Sequence, residues 1–444
     1  MAGIFKAYDI RGIYGTDLTE DLAYRIGRAF VTFVNCRKVV VARDIRPHSE
    51  PLFEACARGI TEQGADVVDI GHASTPMSYF ANGALGADGS VMITASHNTA
   101  EWNGFKLCRG QAVPLSGATG IQEIERIVRD GTFAPRAAAR GQVTSRDILP
   151  AYAEHLARFA RLKRPVHVAI DFANGMGIWE VQALKGLLTW DGLYAEPDGR
   201  FPNHEANPLH TATLADLQRT VRNGRYAFGV AYDGDADRAG FVDEQGEIIP
   251  MDLITALVAQ DVLATRKGVI FYDLRSSRVV RETIEAAGGT PMMSRVGHAF
   301  IKQQMREHDA LFAGELSGHY YFQDNFTAES SSLAILSLAN IVSQADKPLS
   351  ELIAPLRRYV ASGEINTRVS RDPQAILAEI RQRHTGGRVF ELDGVSVEYP
   401  DFWFNVRCSN TEPLVRLNLE ARTREVMEAR RDELLALIRE GTDA

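Results

Sequence analysis

A short apolar stretch, KVVVARD at 38–44, indicates the fold because it recurs twice along the chain. It returns as PVHVAIDFANG, 165–175, and as GVIFYDLRSS, 268–277. Each β-branched run precedes a helical pattern, and this alternation is typical of βαβ units with largely parallel sheets. We therefore predict three related α/β units. The rival interpretation is an ordinary α/β protein without repeats, which shows similar runs.

The residues after about Gly363 follow a different pattern. A helical stretch precedes VFELDGVSVEY, 389–399, where Asp393-Gly394 predicts a hairpin. The expected order β-α-β-β-α indicates a small α+β domain with an antiparallel sheet. The fold class predicted is α/β, with three related mixed α/β sandwich domains and a C-terminal α+β domain. The expected domain limits are 1–146, 147–246, 247–362 and 363–444.

Composition and charge limit the classes of function. The chain has 444 residues, 45% hydrophobic and 24% charged, and a net charge of −8. These values are typical of a globular enzyme and argue against a general nucleic-acid binder. The four cysteines show no C-x-x-C spacing, so neither a zinc site nor a disulfide framework is indicated. Without a signal-peptide pattern or an apolar stretch of about 20 residues, we expect a cytoplasmic protein and no membrane contact.

An acidic loop in FGVAYDGDADRAGFVDEQGEIIP, 228–250, has the most specific chemical pattern. Asp233, Asp235 and Asp237 alternate with Gly and Ala after an apolar run. Converging carboxylates repel one another unless a cation lies between them, and hard oxygen ligands favour Mg²⁺. The EF-hand is a rival site, but Arg238 stands where its loop requires Gly. A solvated acidic turn is the alternative without a metal.

A second polar loop, in RCSNTEPLVRLNLEA, 407–421, predicts phosphate binding. Hydroxyls, backbone N–H groups and guanidinium groups bracket a turn at Glu412-Pro413, and such a set can surround a dianion. The P-loop motif of nucleotide-binding proteins is absent from the sequence. The alternative is a polar loop between two strands. The candidate phosphate ligands are Arg407, Ser409, Asn410, Thr411 and Arg416.

The stretch FAGELSGHYYF, 312–322, predicts polyol recognition. Glu315, Ser317 and His319 alternate along an extended segment, which places them on one side of it. Near the N-terminus, Asp9 and Arg11 lie in an otherwise apolar segment, where Arg11 is a candidate phosphate ligand or half of an ion pair. Arg275 and His298 form part of a locally basic set in an acidic protein; by spacing alone these are also consistent with surface charges.

The stretch GSVMITASHNTAEWNGFK, 89–106, carries a serine directly after an apolar strand. A Ser-His-Asp hydrolase is not favoured, because His97 is the immediate neighbour of Ser96 and neither G-x-S-x-G nor S-x-x-K surrounds it. We predict instead that Ser96 carries a phosphoryl group. The acidic loop with Asp233, Asp235 and Asp237 would supply the neutralising cation, and the polar loop after Arg407 would hold a second phosphate.

The four motifs TASHN, DGDADR, GELSGH and RCSNTEP occur in this order over nearly the whole chain. Together they resemble the α-D-phosphohexomutase superfamily, and within it the bacterial phosphomannomutase/phosphoglucomutase branch. The resemblance implies four domains around a central cleft, each contributing one loop. It further implies reversible conversion of hexose 1-phosphate and hexose 6-phosphate, with mannose, glucose or both as the sugar. The intermediates implied are an enzyme phosphoserine and a 1,6-bisphosphate.

The resemblance also implies a role for each site residue. It makes Ser96 the phosphoserine and, with Asp233, Asp235 and Asp237, a ligand of Mg²⁺. Arg238 would face the substrate, Glu315 and Ser317 would bind sugar hydroxyls, and Lys106 and His319 are the candidates for general acid/base work. His298 is a candidate substrate-binding residue. Contacts with the reacting or the remaining phosphate are implied for Arg11, His97, Lys106, Arg275, His319, Arg407, Ser409, Asn410, Thr411 and Arg416. Glucose 1,6-bisphosphate or mannose 1,6-bisphosphate is the implied activator, small sugar phosphates the partners, and a monomer or weak dimer the expected state.

Three departures from the family pattern stand in this sequence. Arg275 replaces a common Lys, Ala299 replaces a common Ser, and Cys408 and Asn410 replace residues typical of the glucosamine branch. The last difference disfavours a phosphoglucosamine mutase. Within the same fold, the competing functions are a glucose-only phosphoglucomutase and a phosphoglucosamine mutase. From other classes of function, a metal-dependent phosphatase with a serine nucleophile and a catalytically silent sugar-phosphate-binding protein compete with the mutase.

Overall fold

The computed structural model describes residues 3–408 and 414–440. The first domain contains a mixed seven-stranded sheet of order β1-β5-β4-β2-β3-β7, with β6 paired to β5. Its strands are β1 Ile10–Ile13, β2 Lys38–Arg43, β3 Asp66–His72, β4 Gly89–Ile93, β5 Trp102–Arg109, β6 Val113–Pro114 and β7 Val143–Ser145. Its helices are α1 Glu20–Val34, α2 Ser49–Glu62, α3 Thr75–Ala84 and α4 Gln122–Asp130.

The second domain has a five-stranded sheet of order β12-β11-β10-β8-β9. Its strands are β8 His167–Asp171, β9 Thr189–Leu193, β10 Phe228–Tyr232, β11 Ala239–Asp243 and β12 Ile248–Ile249. Its helices are α5 Leu149–Ala157, α6 Gly177–Ala183 and α7 Ala215–Asn223.

The third domain repeats this arrangement in the order β14-β13-β15-β16-β17. Its strands are β13 Val269–Asp273, β14 Thr290–Ser294, β15 Phe312–Gly314, β16 Tyr320–Phe322 and β17 Ala328–Glu329. Its helices are α8 Met251–Thr265, α9 Arg278–Ala286, α10 His298–Glu307, α11 Ser331–Gln344 and α12 Leu349–Ile353.

The three sheets share one plan, which confirms the predicted relation between the units. In each, the recurring apolar run forms the strand that pairs in parallel with two neighbours: β2 with β3 and β4, β8 with β9 and β10, and β13 with β14 and β15. The second of these neighbours then turns back into an antiparallel partner, β5, β11 or β16. The loop at this reversal therefore lies at the same position in all three domains.

The fourth domain is an antiparallel sheet of order β18-β22-β21-β20-β19 with two helices. Its elements are β18 Val360–Arg368, α13 Pro373–Arg383, β19 Arg388–Phe390, β20 Val395–Glu398, β21 Phe402–Cys408, β22 Leu414–Ala421 and α14 Arg424–Arg439. The class is as predicted, but the order is β-α-β-β-β-β-α, because the chain on each side of residues 409–413 forms a further strand, β21 and β22. The predicted domain limits stay predictions.

A continuous hydrophobic core joins the first three domains. It includes Val40, Val168 and Ile270 from the recurring strands. Helices α8 and α11 lie in it with most of their residues buried, because their sequences are apolar on almost every face. The fourth domain packs around a separate core, which includes Phe404 and Leu417. Within the described residues, no helix is long and apolar enough to cross a bilayer.

Candidate active site

Three polar loops meet at the reversals of the three related sheets. The serine loop, 94–101, joins β4 to β5; the aspartate loop, 233–238, joins β10 to β11; and the glutamate loop, 315–319, joins β15 to β16. Because each follows a buried strand, each side chain starts from a rigid position. The shared plan thus directs three sequence-remote loops to one place.

Ser96 lies in direct contact with the aspartate loop. Its Oγ donates to Asp233 Oδ2 at 2.8 Å and lies 3.2 Å from His97 Nδ1. The Ser96 backbone has a φ of +52°, a left-handed conformation that is uncommon for a residue with a Cβ. Burial, followed by the charges of Arg238 and Arg11, lowers the pKa of His97 to about 2. His97 is therefore neutral at physiological pH.

Asp233, Asp235 and Asp237 form a buried carboxylate cluster. One oxygen from each lies within 4.8 Å of the others. Burial and the like charges of Asp235 and Asp237 raise the pKa of Asp233 well above its ordinary value. Among the described residues, Asp235 Oδ1 and Asp237 Oδ1 are buried without a hydrogen-bond partner. Repelling, unpartnered hard oxygens of this kind fit a divalent cation such as Mg²⁺.

Hydroxyl groups from two other domains hold the aspartate loop. Thr75, at the start of α3, donates its Oγ1 to Asp235 Oδ2 at 2.6 Å and its N–H to the Asp235 carbonyl at 3.0 Å. Ser331, at the start of α11, donates its Oγ to the Ala236 carbonyl at 2.7 Å. Ala236 has a φ of +62°, so both contacts support an unfavourable turn. Sequence reasoning missed both residues, because neither belongs to a motif.

Lys106 and Arg11 place positive charge beside these carboxylates. Lys106 Nζ donates to Asp235 Oδ2 at 2.6 Å and to Asp237 Oδ2 at 2.5 Å. Burial alone would lower the pKa of Lys106, but the two carboxylates outweigh it and raise this pKa above its ordinary value. Arg11 donates to the Ala95 carbonyl at 3.2 Å and to Asn98 Oδ1 at 2.7 Å, which ties it to the serine loop.

The glutamate loop reaches the aspartate loop through His319. His319 Nε2 lies 3.4 Å from Asp237 Oδ1 and accepts from Arg238 Nε at 3.3 Å. Its Nδ1 is hydrogen-bonded to Ser317 Oγ at 2.8 Å and lies 3.5 Å from Glu315 Oε2. Glu315 is 2% exposed and also accepts from the Gly297 N–H at 3.1 Å. Glu315, Ser317 and His319 therefore form one polar group at this side of the site.

A basic cluster joins the third and fourth domains. Arg407 Nη2 donates to Glu364 at 2.6 Å, while Arg416 and Arg275 approach the same carboxylate at 3.7 and 3.9 Å. Within the described part of the chain, the buried Nε atoms of Arg407 and Arg416 have no hydrogen-bond partner. Unpartnered guanidinium donors of this kind fit an anion with several oxygens. Glu364 was not singled out from the sequence, since it lies in no motif.

The remaining predicted residues lie elsewhere or outside the described chain. His298 is half-buried, lies 3.5 Å from Glu329 and packs edge-on against Tyr8, with 5.4 Å between ring centroids. Burial is the main cause that raises the pKa of Tyr8; the charge of Arg295 opposes this shift and that of Glu315 adds to it. Tyr8 was missed although it lies in the N-terminal segment close to Arg11. The predicted phosphate ligands Ser409, Asn410 and Thr411 lie outside the described residues.

Comparison with known proteins covers almost the whole chain. Four phosphoglucomutase/phosphomannomutase domain models match it: α/β/α domain I at residues 2–135, II at 150–246, III at 250–359 and the C-terminal domain at 364–437. A phosphomannomutase of Escherichia coli is 40% identical, over 98% of this chain and 99% of its own length. A phosphomannomutase of Methanocaldococcus jannaschii is 39% identical, over 98% and 97%.

A solved structure gives the same assignment. The phosphoglucomutase/phosphomannomutase family protein of Burkholderia thailandensis is 33% identical and superimposes with a TM-score of 0.91, covering 99% of this chain and 98% of that one. The matches agree with the three related sheets and the separate fourth domain. The chain therefore belongs to the phosphoglucomutase/phosphomannomutase family.

Proposed function

We propose that this enzyme interconverts hexose 1-phosphates and hexose 6-phosphates, with Ser96 as the carrier of the transferred phosphoryl group. The observation that carries the proposal is the 2.8 Å contact between Ser96 Oγ and Asp233 Oδ2. It joins a nucleophilic hydroxyl to a carboxylate cluster suited to a cation. The relatives from Escherichia coli and Methanocaldococcus jannaschii are named phosphomannomutases, which favours mannose phosphates as substrates.

Each half-reaction exchanges one phosphorus–oxygen bond for another. A free hydroxyl of the bound hexose monophosphate attacks the phosphorus of phosphoserine, and the bond between phosphorus and Ser96 Oγ breaks. The hydroxyl proton leaves to a base and a proton reaches Oγ, so charge balances. The resulting 1,6-bisphosphate then reverses its orientation in the site, and Ser96 Oγ takes up the other phosphoryl group. No water enters the balance, and a water molecule in place of the sugar hydroxyl would end the cycle.

The residues around Ser96 are suited to this transfer. Lys106 and His319 are our candidates for moving the proton, since both contact the carboxylate cluster. Asp233, Asp235 and Asp237 would hold Mg²⁺, which when bound neutralises charge on a phosphoryl group. Arg11 and Arg238 add positive charge beside these carboxylates.

The basic cluster is suited to the phosphate that is not transferred. Arg275, Arg407 and Arg416 approach one carboxylate from two domains, and a phosphate dianion would satisfy their free donors. Glu315 and Ser317 belong to the polar group beside His319, where they would accept from and donate to sugar hydroxyls. Both sites must accept either orientation of the bisphosphate.

A hexose 1,6-bisphosphate is the proposed activator. Phosphoserine lost to water is restored when glucose 1,6-bisphosphate or mannose 1,6-bisphosphate transfers a phosphoryl group to Ser96. The purified enzyme would therefore need only a trace of bisphosphate.

The test is ³¹P NMR of the protein with Mg²⁺, a trace of glucose 1,6-bisphosphate, and mannose 1-phosphate or glucose 1-phosphate. We expect the 6-phosphates to form with the native chain and not with Ser96→Ala. Ser90→Ala is the matched control, because Ser90 is a buried serine of β4 that accepts from Asn82 instead. Accumulation of inorganic phosphate as the main product, or normal turnover by Ser96→Ala, would contradict the proposal.

A further inference from the structure

We propose that Arg46 is a positioning residue that holds the backbone of the serine loop in the conformation needed for phosphoryl transfer. The inference rests on the proposed role of Ser96 as phosphoryl carrier. Arg46 lies in the turn after β2 and is 2% exposed.

The guanidinium of Arg46 donates hydrogen bonds to four backbone carbonyls, three in the serine loop and one at Trp102, the first residue of β5. Nη2 donates to the carbonyls of Ser96 and Asn98 at 2.9 and 2.6 Å. Nη1 donates to those of Thr99 and Trp102 at 2.6 and 3.0 Å. Nε donates to Asp44 Oδ2 at 3.1 Å. All five N–H donors of a guanidinium are thus used.

This bonding excludes Arg46 from direct contact with phosphate and gives it a structural task. Ser96 has a left-handed backbone, which its own Cβ disfavours, so an outside support is needed to hold it. Four donors on one rigid plane fix the direction of the loop carbonyls. Lysine has a single ammonium with three donors and cannot reproduce the pattern.

Arg46 is itself anchored from two domains. The Asp44 carboxylate accepts from its Nε and, at 3.1 Å, from its backbone N–H. Its guanidinium lies over the ring of Phe201, a residue of the second domain, at 5.0 Å from the centroid. The backbone near Gly199 approaches so closely that an added Cβ there would lie 2.5 Å from Arg46 Cα. The serine loop is therefore positioned relative to the domain that carries the aspartate loop.

Comparison of the three related domains distinguishes the positioning role of Arg46 from phosphate binding. At the ends of β2, β8 and β13, an aspartate accepts the N–H two residues later: Asp44 from Arg46, Asp171 from Ala173 and Asp273 from Arg275. Arg275 occupies the position equivalent to Arg46, yet it approaches Glu364 in the basic cluster. The arginine of the third domain, Arg275, thus belongs to the proposed anion site, whereas that of the first domain, Arg46, donates to backbone carbonyls.

The test compares Arg46→Lys with Arg43→Lys. Arg43 is a matched control, since it is 9% exposed, and its guanidinium lies 4.0 Å over Phe53 and donates to Glu50 and Asp69, neither of which belongs to the serine loop. For Arg46→Lys we expect kcat to fall about 100-fold, the scale of a 1 Å misplacement, with KM within about twofold. More inorganic phosphate should also form per turnover, because a displaced phosphoserine is opened to water. Arg43→Lys should lower Tm by a similar amount and keep kcat.

Two outcomes would overturn the inference: Arg46→Lys keeps kcat, or both variants lose kcat by the same factor. If Arg46→Lys does not fold, Asp44→Asn provides the milder test, since it weakens the hold on Arg46 Nε, and it should lower kcat in the same way. Phosphate on Ser96 of the native chain is first located by peptide mass spectrometry. If the native chain never carries it, the proposed function fails; if it does and Arg46→Lys transfers normally, only the role of Arg46 fails.

Discussion

At the residue scale, Glu364 holds together the basic cluster of the third and fourth domains. Three guanidinium groups from two domains repel one another, and the Glu364 carboxylate between them offsets that repulsion. Burial would raise the pKa of Glu364, but Arg407 and its neighbours outweigh burial and lower it. Glu364 is therefore ionised at neutral pH. Two further carboxylates lie beside the same arginines: Asp273 is 2.6 Å from Arg275 and Asp393 is 3.8 Å from Arg407.

Replacing Arg407 by methionine should raise KM for hexose phosphate about 10- to 100-fold, because a hydrogen bond to a charged group contributes about 1.5–3 kcal/mol. The effect should fall mainly on KM, since this phosphate is bound in both ground and transition state. Initial rates over a range of mannose 1-phosphate concentrations measure it. Arg424→Met, at an exposed position of α14 in the same domain, is the control and should leave KM unchanged. An unaltered KM in Arg407→Met would remove Arg407 from the phosphate site.

At the element scale, the close approach of two loops sets the geometry of the site. The serine and aspartate loops follow equivalent strands, β4 and β10, and they touch through backbone as well as side chains. A Cβ added at Gly234 would lie 2.4 Å from the Ser96 carbonyl oxygen. Only glycine therefore permits the observed separation of the two loops.

Gly234→Ala should lower kcat about 10- to 100-fold, because the two loops must move apart by a fraction of an ångström or more. Steady-state rates with saturating substrate measure the change. The control is Gly386→Ala, where an added Cβ would have no described atom within 4 Å. Full activity in Gly234→Ala would mean that the loops tolerate a wider separation.

At the scale of the whole molecule, Glu180 joins three domains. Its buried carboxylate accepts from Ser74 at the start of α3, from Tyr152 of α5 at 3.0 Å, and from Ser332 of α11. Ser74 and Ser332 are neighbours of Thr75 and Ser331, which hold the aspartate loop. The junction therefore sets the positions of two helix ends that shape the site.

Glu180 should make stability depend on pH. Burial raises its pKa above the ordinary value although three hydroxyls oppose this. The folded protein thus binds a proton more tightly than the unfolded chain, and stability falls as pH rises from the ordinary pKa through the raised one. Thermal melts between about pH 5 and pH 8 should show a decline in Tm that is smaller in Glu180→Gln. Glu154→Gln, exposed on the same helix as Tyr152, should keep the native slope, and identical slopes in all three proteins would contradict the assignment.

Much of this architecture was predictable from local sequence. The recurring apolar runs indicate three related units because alternation of strand and helix is a local property of hydrophobic pattern. The serine, aspartate and glutamate loops could be located because each follows its strand without a break. Their proposed roles stay predictions, and the loop at Ser409 to Thr411 lies outside the described residues.

Local patterns in the chain were enough to predict the class of fold and the family, because these depend on neighbours in sequence. The packed domains were needed to show which distant residues support the candidate site: Arg46 under the serine loop, Glu364 among the arginines, and Glu180 between three domains. Each belongs to no motif, and each acts through partners from other parts of the chain. Such contacts arise when sheets and helices pack, and no local period of the sequence records them.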